Sequence, residues 1–242
     1  MALPRRFVFK ITETPLYINL DLQDTDLRGR YVMKRLPKNV WLSIVMLLFA
    51  CGCMAPQRQP AAKTDYYTLE YVLSGMTQKP ASPAVLGIQQ FQISPEYNTN
   101  KMIYRENQFE RNHYHYHKWR ANPADLCTYF IARDLEHSKR FKAVFTLDRK
   151  VPVTHRLEGV VEEFFEYDTA QGCEAVFSLS VTLLKSAEPD ISRRILFQRR
   201  YNTRSACRQK NPSALAEAMS LSIKQASAGI ISDIYDAVTH MD

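Results

Sequence analysis

The chain has 242 residues, is 45% hydrophobic and 24% charged, and carries a formal net charge of +7. Residues 1–52 hold eight Lys/Arg and four Asp/Glu and so supply +4 of that excess, which leaves too little positive charge in the remainder to expect nucleic-acid binding. The sequence lacks a Walker A motif, a dinucleotide fingerprint and a G-x-S-x-G nucleophile elbow, so neither nucleotide binding nor serine-hydrolase chemistry has support in it.

The first readable element is an address. Lys34, Arg35 and Lys38 precede an eleven-residue apolar run, Val40 to Ala50, followed by Cys51-Gly52-Cys53. Such a run is well short of the roughly 20 residues that span a bilayer and has the length of a signal-peptide core. A basic start, a short apolar core and a cysteine make a bacterial lipoprotein signal over residues 33–50. Cys51, with Leu48 three positions before it, is the preferred lipidation site, and Cys53 is the alternative. Because signal peptides act at an N-terminus, translation is expected to begin at Met33, with residues 1–32 a mis-assigned upstream segment. Neither Gly52 nor Met54 is the aspartate that holds lipoproteins at the inner membrane, so an outer-membrane anchor facing the periplasm is expected.

Residues 51–64 include Pro56, Gln57, Gln59 and Pro60, with almost nothing to bury, and are expected to be a flexible tether. A single periplasmic domain is then expected over 65–242, long enough to bury a substantial core.

Within that domain Tyr66–Tyr71 and Ala84–Ile93 read as strands separated by a loop over Gly75–Pro83, and Met102–Glu106 and Asn112–Trp119 read as two more. Asn122-Pro123-Ala124-Asp125 opens a helix, with Asn122 as N-cap, proline in the first turn and an acid near the positive end of the dipole. Leu126, Cys127, Phe130, Ile131 and Leu135 form its buried stripe, in which Cys127 is a buried free thiol. Ala143–Leu147 is a short strand.

Three long strands follow. In His155–Tyr167 the residues Leu157, Val161, Phe165 and Tyr167 are expected to share one side. The next alternates Ala175, Phe177, Leu179, Val181 and Leu183 with polar residues, the mark of a half-buried strand. A third runs from about Ile191 to Thr203. Short turns at Asp168–Gly172 and Ala187–Asp190 make the three an antiparallel meander. Asn211-Pro212-Ser213 starts a final helix whose stripe is Leu215, Met219, Ile223, Ala226, Ile230, Ile234 and Val238. The sum is an α+β fold, a mixed and mainly antiparallel sheet with two helices packed on one face.

Three clusters invite chemistry. His113, His115 and His117 alternate on one strand and are candidate metal ligands, which would make the chain a periplasmic metal-binding protein. Yet same-face neighbours lie roughly 6.6 Å apart, which sets the outer pair too far from one ion, and an aromatic, polar strand face is the simpler reading. Glu158, Glu162 and Glu166 line one strand face with Glu163 opposite, which is read as a solvated face. Cys173 and Cys207 are candidates for a disulfide in an oxidising compartment. A hairpin centred between Glu188 and Pro189 pairs position 173 with about 204, so Cys207 would be three residues out of register.

The order of these features resembles the auxiliary lipoproteins of ABC-type lipid transporters that carry MCE-domain proteins, including the paraquat-inducible lipoproteins. Tyr66-Tyr67-Thr68-Leu69 is similar to the family's opening strand and Val85-Leu86-Gly87-Ile88 to its second. Tyr116-His117-Lys118-Trp119-Arg120-Ala121-Asn122-Pro123 resembles its aromatic segment entering a helix, and Asp134-Leu135 through Phe141-Lys142-Ala143-Val144 its helix exit. Arg156-Leu157-Glu158-Gly159 and the last helix complete the order. The triple histidine and the extra cysteines have no counterpart in that pattern. The resemblance implies a protein without catalytic residues or cofactor beyond its covalent lipid. Its implied partners are an MCE-domain protein, the inner-membrane permease and ATPase, and outer-membrane lipid, with self-association as a homo-oligomer also compatible.

Overall fold

A single long hairpin organises the sheet. A computed structural model describes residues 62–73, 79–146 and 151–240; the signal segment, Cys51 and Cys53 lie outside them. In chain order the elements are β1 (Asp65–Tyr67), β2 (Ser82–Ile88), β3 (Gln92–Ile93), β4 (Lys101–Arg105), β5 (Asn112–Trp119), α1 (Pro123–His137) and β6 (Phe141–Thr146). They continue with β7 (His155–Thr169), β8 (Gly172–Lys185), the single turn α2 (Ile191–Arg194), β9 (Ile195–Ala206) and α3 (Pro212–His240).

β7, β8 and β9 form the expected antiparallel meander. The other long edge of β7 is shared in parallel by β2, β3 and β4 at successive heights, from Leu157 opposite Ile88 to Tyr167 opposite Arg105. Beyond them β6 joins β2 in parallel, β5 joins β4 antiparallel and β1 joins β5 in parallel. The sheet is therefore mixed, with the antiparallel meander as its longest ladders, and α1 and α3 lie on it to complete the α+β fold.

Local chemistry explains the element ends. Asn122 caps α1 by accepting the Ala124 N–H at 3.0 Å, and Asn211 caps α3 by accepting the Ala214 N–H at 2.8 Å. Each takes up a donor that has no partner inside its helix. All seven stripe residues of α3, from Leu215 to Val238, are buried. Among the described residues no helix is long and apolar enough to cross a membrane.

Several expected boundaries move. The opening strand stops at Tyr67; Leu69 is buried in the core, and Tyr71 instead donates to the buried carboxylate of Asp134 on α1 at 2.8 Å. The stretch read as one strand over 84–93 breaks into β2 and β3, because Phe91 turns inward to lie against Gly159. Asp190 caps a helical turn over Ile191–Arg194 by accepting the Ser192 N–H, so the third long strand begins at Ile195. The β7–β8 turn is tight, with Thr169 paired to Gly172, whose φ of +149° favours glycine.

Candidate functional site

Which side chains of β7 face the helices is decided at one residue. The register with β8 shifts between Val161 and Glu163, so Glu162 is the extra residue of a bulge. Glu162 is held outside the core by Ser180 Oγ at 2.5 Å and by Arg200 Nε at 2.7 Å. A one-residue slip exchanges the two faces of a strand. Before the bulge Leu157 and Val161 face the core opposite Leu183 and Leu179. After it Phe164, Glu166 and Asp168 take that face, opposite Phe177, Ala175 and Cys173. The expected stripe through Phe165 and Tyr167 is thereby corrected. Phe165 is buried on the other side, stacked on Tyr97 with ring centroids 5.8 Å apart.

Two carboxylates are thus carried inward. Glu166 has no exposed surface and Asp168 is 7% exposed, so the reading of Glu166 as part of a solvated acidic face is corrected, while Glu158, Glu162 and Glu163 do stay partly exposed. Tyr114 on β5 donates to Glu166 Oε2 at 2.9 Å, and Lys210, just before α3, reaches Asp168 Oδ2 at 2.9 Å. The second oxygens, Glu166 Oε1 and Asp168 Oδ1, are buried without a hydrogen-bond partner. The carboxylates and Cys173 Sγ offer ligand atoms that all lie within 4.8 Å of one another.

Cys207 completes the cluster. The α2 turn takes up residues in the β8–β9 connection, so the register pairs Glu174 with Ala206 and places Cys173 opposite Cys207, removing the expected three-residue offset. Both are free thiols in the structure, Cys173 buried and Cys207 half-buried. Burial, then the neighbouring Cys207 and Glu166, push the Cys173 thiol well above its ordinary range. Glu166 is raised first by burial and further by Asp168, against the lowering effects of the Tyr114 hydrogen bond and the nearby Cys173 thiol. Such a site can retain a proton, bind a cation or form a disulfide.

The histidines are placed differently. Lys101 Nζ stands 3.0 Å from His113 Nε2, and His117 Nδ1 lies 3.2 Å from the Tyr67 hydroxyl. His113 and His115 stack edge to face at 5.2 Å. Among the described residues the histidines are not gathered with other donors into a set of three. Cys127 is fully buried as a free thiol. Tyr114, Asp168 and Lys210 were not among the sequence candidates. The available signal was Glu166-Tyr167-Asp168 followed by a turn short enough to set Asp168 across from Cys173.

The family described as ABC-type transport auxiliary lipoprotein component matches residues 67–231. No curated protein matches in sequence. Among solved structures, protein XCC0632 from Xanthomonas campestris, of family DUF330, is 16% identical, covers 72% of this chain and 96% of its own, and superposes with a TM-score of 0.65. The structure of an uncharacterized protein is 13% identical, covering 71% of this chain and 99% of its own, with a TM-score of 0.56. At these identities the likeness is one of fold.

Proposed function

The chain belongs to the ABC-type transport auxiliary lipoprotein family, and from that membership we propose that it is the outer-membrane-anchored, non-catalytic component of an MCE-type lipid transport system. In this reading it docks the periplasmic assembly at its outer end. The observation that carries the proposal is the lipoprotein signal, Lys34 to Cys51, ahead of a domain of this family. A three-chain bacterial anchor at Cys51, or at Cys53, would hold the domain on the membrane, since each buried CH₂ contributes roughly 0.8 kcal/mol. The residue after either cysteine, Gly52 or Met54, favours the outer membrane.

A surface suited to docking lies close to the tether. Tyr66 on β1 and Tyr116 on the neighbouring β5 are 56% and 53% exposed. Tyrosine supplies large, stiff contact area and is enriched in protein interfaces. The MCE-domain protein is the proposed occupant of that surface, with the permease and ATPase further along the assembly.

The test is capture of the tagged full chain from membranes at native expression, after cross-linking. An MCE-domain protein in the eluate is expected, and the double variant Cys51→Ser, Cys53→Ser should release the chain from washed outer membranes. A chain that still sediments with outer membranes would refute the anchor. Capture without any transporter component would refute the docking role.

A further inference from the structure

We propose that the reduced protein binds one divalent cation of the zinc class through Glu166, Asp168 and Cys173. The site is assembled by β7 and β8, is buried beneath the segment leading into α3, and is independent of the transport reading. Its three ligand atoms lie within 4.8 Å of one another. Around one zinc ion, with bonds of about 2.0–2.3 Å, donors stand about 3.3–3.7 Å apart, so modest side-chain rotation closes the set.

Two observations aim the site at a cation. Glu166 Oε1 and Asp168 Oδ1 are acceptors buried without a partner, while the other oxygen of each carboxylate is already fixed, by Tyr114 and by Lys210. Those outer contacts orient the ligands as second-sphere groups do in metal sites. Charge agrees. Were Glu166 and Asp168 both ionised beside one Lys210 ammonium, the cluster would carry a net negative charge in the interior, which is costly. A divalent ion bound by two carboxylates and the Cys173 thiolate, with Lys210 retained, brings the cluster to neutrality. Binding releases to solvent the Cys173 thiol proton, because the coordinating sulfur is a thiolate, together with any proton the buried Glu166 carboxyl holds in the metal-free protein.

Donor chemistry sets the class of ion. One thiolate and two carboxylates suit zinc, whereas magnesium and calcium take oxygen ligands. Entry is by way of Arg208, Gln209 and Lys210, which are exposed beside the cluster, with the Gln209 carbonyl 3.7 Å from Cys173 Sγ. Cys207 lies across the ladder from Cys173. A Cys173–Cys207 disulfide would consume the thiolate, so metal binding and that bond exclude each other.

The experiment uses the full chain purified in detergent with reductant, titrated with Zn²⁺ by calorimetry and with Co²⁺ by absorption. One bound ion is expected, with a thiolate-to-cobalt charge-transfer band that Cys173→Ser abolishes. Glu166→Gln, close to isosteric, and Asp168→Asn should each weaken Zn²⁺ binding by at least roughly tenfold, the scale on which loss of even an outer-sphere partner acts. Cys207→Ser should bind without reductant, since the thiol opposite Cys173 on the ladder is gone, and a triple alanine variant at His113, His115 and His117 should bind as the parent does. Circular dichroism checks each variant; if Cys173→Ser fails to fold, the cobalt band and Glu166→Gln decide. Absence of binding by reduced parent and Cys207→Ser would mean that a shared proton occupies the site and overturns the proposal. Zn²⁺ affinity unchanged in Glu166→Gln, or lost in the histidine variant, would overturn it equally.

Discussion

Cys207 donates its backbone N–H to the carbonyl of Cys173 at 2.8 Å, which makes the two cysteines direct cross-strand neighbours on β8 and the chain leaving β9. An opposed pair of this kind keeps its Cα atoms about 5.5 Å apart, inside the roughly 4.4–6.8 Å that a disulfide spans. Oxidation of the metal-free protein is therefore expected to join Cys173 and Cys207, stabilising the fold by about 3–4 kcal/mol on the loop-closure scale. Peptide mapping of unreduced, alkylated protein checks it; full labelling of both cysteines without reductant would exclude the bond. Prior saturation with Zn²⁺ should slow its formation.

His113 is expected to titrate below the ordinary histidine value of about 6.5. Partial burial comes first, and the Lys101 ammonium beside its ring and the neighbouring His115 add to it by disfavouring a second positive charge. In the NMR spectrum the His113 ring protons should show that low midpoint, and Lys101→Met should raise it. A midpoint at or above the ordinary value would contradict the geometry.

Gly159 is where β7 meets Phe91. A Cβ built there would stand 2.8 Å from Phe91 Cδ1, and Phe91 is 3% exposed in the core. Gly159→Ala should thus lower stability by about 1–3 kcal/mol, as overpacking does, and Gly159→Ala combined with Phe91→Leu should recover part of the loss. Denaturant melts of the three proteins provide the comparison, and an unchanged midpoint for the single variant would count against this packing.

Ile223 sits fully buried at the middle of the α3 stripe. Ile223→Asp puts an unpaired carboxylate among apolar side chains at a cost of several kcal/mol, against a total stability of about 5–15 kcal/mol for a domain. Loss of the cooperative thermal transition is the expected outcome, and an unaltered melting temperature would show that the helix does not pack as described.

Elements governed by near neighbours were legible in the sequence. The Asn-Pro starts of α1 and α3 act within three residues of themselves, the period-two pattern of β8 and the three-to-four step of α3 mark a buried face directly, and together they specify an α+β fold. Of the candidate site the sequence marked Cys173 and Cys207, but not the burial of Glu166 and Asp168 beside them, because the facing of that strand depends on Glu162. Whether β7 bulges there is settled by Ser180 on β8 and Arg200 on β9, which hold the Glu162 carboxylate outside, and by β2, β3 and β4 sharing the opposite edge of β7 at different heights. Local sequence cannot register those distant partners. A single inserted residue then inverts the strand, turning Glu166 and Asp168 from an apparent solvated face into buried neighbours of Cys173.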